Sequence, residues 1–437
     1  MKKTYEPVIG LEVHVELKTN SKMFCGCPAD HFGKAPNTQT CAVCLGMPGA
    51  LPVPNRKAIE WCLKLGLALN CTVPQESRFD RKNYFYPDLP KGYQISQYDK
   101  PLCENGWMQI GNRKIRIKRV HQEEDTGKLL HTTVEGKHVT LIDFNRSGVP
   151  LVEIVSEPDF HTVEEVDLYV KKLQQMIRYL DISNADMEKG SMRLEPSISL
   201  RPAGINALPD YRVELKNINS FRFARKAIEY EIDRQSETLD KGEMIVQQTR
   251  GWSESKNMTL PQREKEQAHD YRYFPEHDIP PMRFTKELIE DIRRKIPELP
   301  KDLKERLMKN YRLNDSVAEI LTQTKELADF FEKVVAMSQI APLTIANVLV
   351  NQSMDIQNVK PEEFVDLITK KREEKYIDAG SIETAMNAVM RTNTKAIEDY
   401  KKGKLSAMMF LIGMVKRELA GKGDAEKIKK LLEKRIQ

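Results

Sequence analysis

Over residues 8–17 the chain alternates strictly, with Leu11, Val13, Val15 and Leu17 on one side of an extended segment and Glu12, His14 and Glu16 on the other. Same-side neighbours on a strand stand about 7 Å apart. Residues 193–201 follow the same pattern: Arg193, Glu195, Ser197, Ser199 and Arg201 oppose Leu194, Pro196, Ile198 and Leu200. Residues 211–216 do so again, with Arg212, Glu214 and Lys216 opposing Tyr211, Val213 and Leu215. A sheet assembled from these strands buries one face and presents several acids on the other, some beside Arg or Lys. The run His121-Gln-Glu-Glu-Asp125 adds carboxylates directly after a basic strand at 114–119.

Helical spacing is sparse in the first part of the chain. Residues 170–180 and 223–239 predict helices there. After Pro280-Pro281 the pattern changes: Leu288, Ile289, Ile292 and Ile296 begin a helical period that continues through 302–312, 315–337 and 342–351. From about Ser381 short helices are punctuated by Gly403, Gly413, Gly421 and Gly423. The expected fold is α+β: a largely antiparallel sheet body over 1–283, an all-α domain over 284–372 and a small helical tail domain over 373–437.

At 437 residues, with 40% hydrophobic and 30% charged positions, the chain has the composition of an ordinary multidomain globular protein. No apolar run approaches the roughly 18 residues of a membrane span, and the start has no apolar signal core, so the cytoplasm is the expected compartment. The net charge of +5 is unevenly placed. Residues 401–437 hold eleven Lys or Arg against four Asp or Glu, a net +7, which leaves −2 for the remainder. Such a tail suits a polyanion, although a lysine-rich solvated helix face has the same composition.

Four of the seven cysteines form Cys25-Gly-Cys27 and Cys41-Ala-Val-Cys44. Each pair fits a turn that aims two thiolates at one ion, and the intervening loop returns the chain to close a tetrahedron, which predicts a structural Zn²⁺. The acids with one imidazole suit a hard cation such as Mg²⁺ or Mn²⁺. An acidic turn neutralised by the neighbouring basic strand fits the same residues. No Gly-x-x-x-x-Gly-Lys-Ser/Thr loop occurs, so any phosphate handling is not of the P-loop type.

Longer motifs are more specific. Gly10-Leu-Glu-Val-His-Val, Phe79-Asp-Arg-Lys-Asn-Tyr-Phe-Tyr-Pro-Asp88, His121-Gln-Glu-Glu-Asp125, Glu153-Ile-Val-Ser-Glu-Pro-Asp159, Glu214-Leu-Lys-Asn217 and Asp270-Tyr-Arg-Tyr-Phe-Pro275 closely resemble the B subunits of tRNA-dependent amidotransferases (GatCAB), in order and over essentially the whole chain. The resemblance implies a cradle-shaped catalytic body and a tRNA-contacting tail. It also implies ATP-dependent phosphorylation of the side-chain carboxylate of Glu-tRNA(Gln) or Asp-tRNA(Asn), followed by amidation with ammonia channelled from an A subunit in a heterotrimer with C. Carried over by position, Glu12, His14, Glu124, Glu195 and Glu214 match the family's Mg²⁺ site. Arg193 and Lys216 are candidate phosphate clamps, with structural pairing to Glu195 and Glu214 as the alternative. Arg193-Leu-Glu195 departs from the Arg-Cys-Asp common in the family, lengthening that carboxylate by one methylene. In the aromatic and cationic stretch at 82–93, Lys82, Tyr84 and Tyr93 are candidates to hold ATP or the tRNA terminus; a packed loop is the alternative. A noncatalytic tRNA-binding scaffold would have no reason to keep every ligand, and a closed four-thiol site disfavours a zinc enzyme.

Overall fold

The fold comes from a computed structural model that describes residues 4–264, 270–351, 356, 358–375, 379–421 and 423–436. The chain divides into two compact units, Met1–Pro300 and Lys301–Gln437.

The first unit is organised by an eight-stranded sheet. Its spatial order is Met258–Glu264, Gln248–Ser253, Val213–Lys216, Met192–Pro202, Tyr5–Glu16, Pro150–Ser156, Arg113–Glu124 and Cys103–Ile110. Every neighbouring pair is antiparallel except Val213–Lys216 with Gln248–Ser253, whose parallel pairing is bridged by the long helix Phe221–Asp240. The first strand lies near the middle, so its apolar alternation is fully used: Leu11, Val13 and Val15 are buried with Ile154, Leu194, Val213 and Leu215. Helices Arg56–Ala68, Val163–Tyr179 and Phe221–Asp240 supply the apolar side chains that cover this face. The second of these starts where a capping box forces it to, because Thr162 accepts from the Glu165 amide at 3.1 Å while the Glu165 carboxylate accepts from the Thr162 amide. With one face sealed by helices, the polar face is free to form a site.

Helix Phe221–Asp240 is also tied to the sheet by charge. Glu231 is fully buried; Arg250, from the Gln248–Ser253 strand, places Nε 2.9 Å from it, and Arg234 places Nη2 at 2.8 Å. The neighbouring Thr259 and Gln235 donate to the same carboxylate.

The boundaries differ from those expected in two places. Helix Lys286–Arg294 packs Ile292, Leu288 and Ile289 onto the core of the first unit, so the division falls at Pro300 rather than 283. The pattern over 315–337 breaks into Asp315–Leu321 and Lys325–Met337 because the Thr324 hydroxyl caps a new helix by accepting from the Leu327 amide. From Lys301 on, the remainder of the expected helical domain and the expected tail domain lie in the second unit, where the last four helices share one apolar cluster. Its helix Leu405–Glu418 buries Met408, Leu411, Ile412 and Val415, whereas Leu405 and Met409 are exposed. Lys401, Lys402, Lys404 and Arg417 face solvent, Lys416 is half-buried, and Lys422 lies outside the described residues.

Breaking a buried ion pair leaves its partner desolvated and unpaired, at a cost of about 3–5 kcal/mol. Glu231→Ala should therefore lower the urea midpoint of the first unit substantially, followed by circular dichroism. A midpoint within experimental scatter of the parent would show that Arg250 finds solvent and that the pairing is not structural.

Candidate active site

The polar face of the sheet is assembled by register. Glu12 stands directly opposite Glu195, His14 lies between Arg193 and Glu153, Glu153 faces His121, and Glu214 faces Ser197. Two groups of potential ligands result, each with its donor atoms within 4.8 Å of one another: Glu12, Glu195 and Glu214, and His14, Glu123 and Glu153. Both line one cavity of about 540 Å³ together with Lys82, Tyr84, Tyr271 and Tyr273.

Like charges placed opposite one another on a sheet repel, and the local electrostatics show the strain. Burial, with Glu153 and Glu195 nearby, pushes the Glu12 carboxyl up to about 7. Lys216 is the resident counter-ion: its Nζ lies 2.7 Å from Glu195 and 3.3 Å from Glu214, and although burial opposes its charge, those two carboxylates hold its pKa above the usual lysine value. In the second group burial alone would discharge His14, but Glu153 and the neighbouring acids raise it to about 9. Its Nε2 is 3.5 Å from Glu153 and 3.7 Å from Glu123. Glu153 resists the effect of burial because His121, at 3.2 Å, and His14 hold it well below the usual carboxylate range.

Of the residues expected from sequence, Glu12, His14, Lys82, Tyr84, Arg193, Glu195, Glu214 and Lys216 meet at this cavity. Arg193 is committed elsewhere than expected: it pairs with Asp125, whose carboxyl Arg193 and Arg146 hold far below its ordinary value against the effect of burial. Glu124 and Tyr93 are not among the residues lining it. The strand period explains Glu124. Pairing of His121 with Glu153 and of Glu123 with Leu151 puts odd-numbered residues of this stretch on the polar face, so Glu124 points through the sheet. There it accepts from the Ile95 amide at 2.9 Å and meets Lys91 Nζ at 2.6 Å. Tyr93 lines that other side too, with the Arg81 guanidinium 4.6 Å above its ring. Glu123, rather than Glu124, lines the cavity.

Sequence reasoning also left out Glu153, His121 and the Tyr271/Tyr273 pair. Counting parity outward from His121 would have found Glu123; the other positions follow only from strand pairing. Lys82 is held under aromatic faces, 5.0 Å from Tyr271 and 6.0 Å from Tyr84, and stays charged despite burial because Glu123, Tyr273 and Glu153 stabilise it. Tyr98 and Tyr273 stack at 4.4 Å beside it.

Away from this cavity, Cys25, Cys27, Cys41 and Cys44 converge with all sulfurs within 4.8 Å, and none is in a disulfide. Cys41 and Cys44 sulfurs are 3.9 Å apart, close to the roughly 3.8 Å edge of a tetrahedron with metal–sulfur bonds of about 2.3 Å. The Cys25 hydrogen bond, aided by Lys22, pulls the Cys44 thiol down to about 4, while burial raises Cys27 to about 11. Four such thiols can hold a metal ion such as zinc.

Residues 7–290 match the family model of the GatB/GatE catalytic domain, and residues 301–436 match that of the GatB domain. The chain is 45% identical over 477 residues to the B subunit of the aspartyl/glutamyl-tRNA(Asn/Gln) amidotransferase from Caldanaerobacter subterraneus subsp. tengcongensis, with 99% of each chain covered. It is 45% identical over 478 residues to the like-named protein from Persephonella marina, covering 99% of this chain and all of the relative, and 41% identical over 483 residues to that of Thermotoga maritima, with 99% of each covered. Among the described residues no helix is long and apolar enough to cross a membrane.

Proposed function

Because the chain belongs to the family of aspartyl/glutamyl-tRNA(Asn/Gln) amidotransferase B subunits, we propose that its sheet cavity activates the side-chain carboxylate of a misacylated tRNA, Glu-tRNA(Gln) or Asp-tRNA(Asn), with ATP. Phosphoryl transfer to that carboxylate gives an acyl phosphate and ADP. Ammonia from a glutaminase A subunit then attacks the acyl carbon and expels phosphate, leaving the amide. The observation that carries this reading is the convergence of five acids from five different strands beside Lys82, Arg193 and Lys216. A scaffold gains nothing from opposing Glu12 to Glu195.

The oxygen-rich donor set Glu12, Glu195 and Glu214, with His14 beside it, fits Mg²⁺, and the four thiols fit Zn²⁺. Bound Mg²⁺ supplies charge neutralisation, which the reaction needs because acceptor and donor are both anions. This chain's own cations extend that neutralisation. Lys216 sits against the acids, and Lys82, braced by Tyr84 and Tyr271, faces the cavity from its rim. Arg193 is fixed by Asp125 and orients the wall around His14 rather than reaching freely for phosphate. The zinc site lies apart from the acids and does folding work. In the second unit, the outward Lys401, Lys402, Lys404 and Arg417 suit phosphate contact with the tRNA body.

Three measurements test these roles. Purified protein should contain one zinc per chain, and Cys44→Ser should lower its thermal midpoint more than it lowers turnover of the folded fraction; zinc-free protein with four freely titrating thiols would overturn the assignment. In the assembled complex, Glu12→Gln should abolish ATP-dependent amidation of the misacylated tRNA while glutamine hydrolysis keeps its own chemistry. Wild-type amidation at saturating Mg²⁺ would remove Glu12 from the mechanism. Replacing Lys401, Lys402, Lys404 and Arg417 by Gln should raise KM for tRNA and flatten its salt dependence by roughly one logarithmic unit of slope per lost contact. An unchanged salt slope would make those cations a solvated face.

A further inference from the structure

The loop that joins the two thiol pairs, residues 28–40, meets the sheet through a side chain that neither the thiols nor the cavity acids require. Glu16 is the third acid of the alternation that carries Glu12 and His14, yet it is buried and is not among the residues lining the cavity. His31, from the loop, places Nε2 3.1 Å from Glu16 Oε2. Glu16 also shares a hydrogen bond with Asp125. Asp125 in turn holds Arg193, one of the cations that line the cavity. A continuous line of polar contacts therefore runs from His31 through Glu16 and Asp125 to Arg193.

The first member of this line is held firmly. Asn37 Nδ2 donates to the Ile142 carbonyl at 2.9 Å, and its Oδ1 accepts from the Phe144 amide at 2.8 Å. The Gln39 amide donates to Asn145 Oδ1 at 2.8 Å, and Asn145 Nδ2 donates back to the Ala35 carbonyl at 2.7 Å. The turn that follows meets Asp125 through the main chain: the Gly148 amide donates to the Asp125 carbonyl at 2.9 Å, and the Asp125 amide donates to the Val149 carbonyl at 2.8 Å. Arg193 is held less completely, because its Nη2 reaches Asp125 while its Nε is buried with no hydrogen-bond partner among the described residues. The same Nη2 stands 4.0 Å from Glu16 Oε1. Two acids thus contend for one guanidinium, and a buried carboxyl group that loses a partner is driven to the nearest donor. His31 engages Glu16 and leaves Arg193 to Asp125.

We propose that His31 is a positioning residue for Arg193: from the thiol-bearing loop it occupies Glu16, and so keeps the guanidinium on Asp125 at the cavity wall, where Arg193 stands opposite His14. The proposal rests on the reading of the cavity as the site of ATP-dependent activation. Without His31, Glu16 draws the guanidinium toward itself and a cation leaves its place beside the reacting groups. The loss then falls on the rate of the bound complex rather than on substrate affinity.

The test measures amidation of the misacylated tRNA in the assembled complex. His31→Leu, similar in size but unable to hydrogen-bond, should lower kcat about tenfold and leave KM for the tRNA within about twofold of the parent, since a small misplacement in an activation site is costly in rate. His31→Gln, whose amide nitrogen can stand where Nε2 does, should return kcat to within about threefold of the parent. Should His31→Leu fail to fold, His31→Asn, polar but too short to reach Glu16, replaces it with the same expectation. In a double-mutant cycle with Arg193→Lys, which lowers kcat by itself, adding His31→Leu should cost no more than about twofold further, because the cation it positions is already gone. Parent kcat in His31→Leu, equal losses in His31→Leu and His31→Gln, or full multiplication of the two losses in the double variant overturns the proposal. Glu12→Gln separates the two readings: parent-level amidation there would remove the activation site itself, whatever His31→Leu does.

Discussion

Glu12 set directly across from Glu195 on neighbouring central strands is the constraint on which the rest of the site depends. Burial raises the proton affinity of Glu12 and the nearby Glu153 and Glu195 add to it, which is why its carboxyl is pushed up to about 7. The fold does not relieve this by rearranging, because the same strands bury Leu11, Val13 and Leu194 against the helices on the reverse face. A one-residue slip would bring every acid into that core and every leucine into the cavity. Hydrophobic burial therefore fixes the register, and the register holds the acids together. Lys216 answers part of the resulting charge, and the proposed divalent cation would answer the rest.

Much of this was legible in the chain itself. The two-residue period at residues 8–17, 193–201 and 211–216 identified three of the eight strands and the face on which Glu12, His14, Glu195 and Glu214 lie. Spacing of Cys25, Cys27, Cys41 and Cys44 was enough to bring four sulfurs to one point, because that site closes over a short stretch of chain. The position of Glu124 outside the cavity has an equally local cause. A motif names a run of residues without saying which of them face the same way, and only the pairing of His121 with Glu153 fixes that Glu123 faces inward.

What the chain did not disclose is what long-range pairing decides. Glu153 sits in an apolar run, Pro150–Ser156, that reads as a buried strand, and its carboxylate gains meaning only between His14 and His121. Arg193 was a candidate phosphate clamp, with Glu195 and Glu214 as alternative partners, and it pairs with Asp125, which directly follows the strand Arg113–Glu124. The exposed Leu405 and Met409 continue a helical stripe whose inner part alone finds a partner helix. In each case the residue type was informative, and its neighbour was not encoded nearby.

The most direct test of the account is a Mn²⁺ titration of the assembled complex without nucleotide, followed by electron paramagnetic resonance. The account predicts binding that Mg²⁺ displaces competitively and that Glu195→Gln weakens at least tenfold, with zinc content unaltered. Mn²⁺ affinity equal in parent and Glu195→Gln proteins would contradict it, because the opposed acids would then be holding only Lys216.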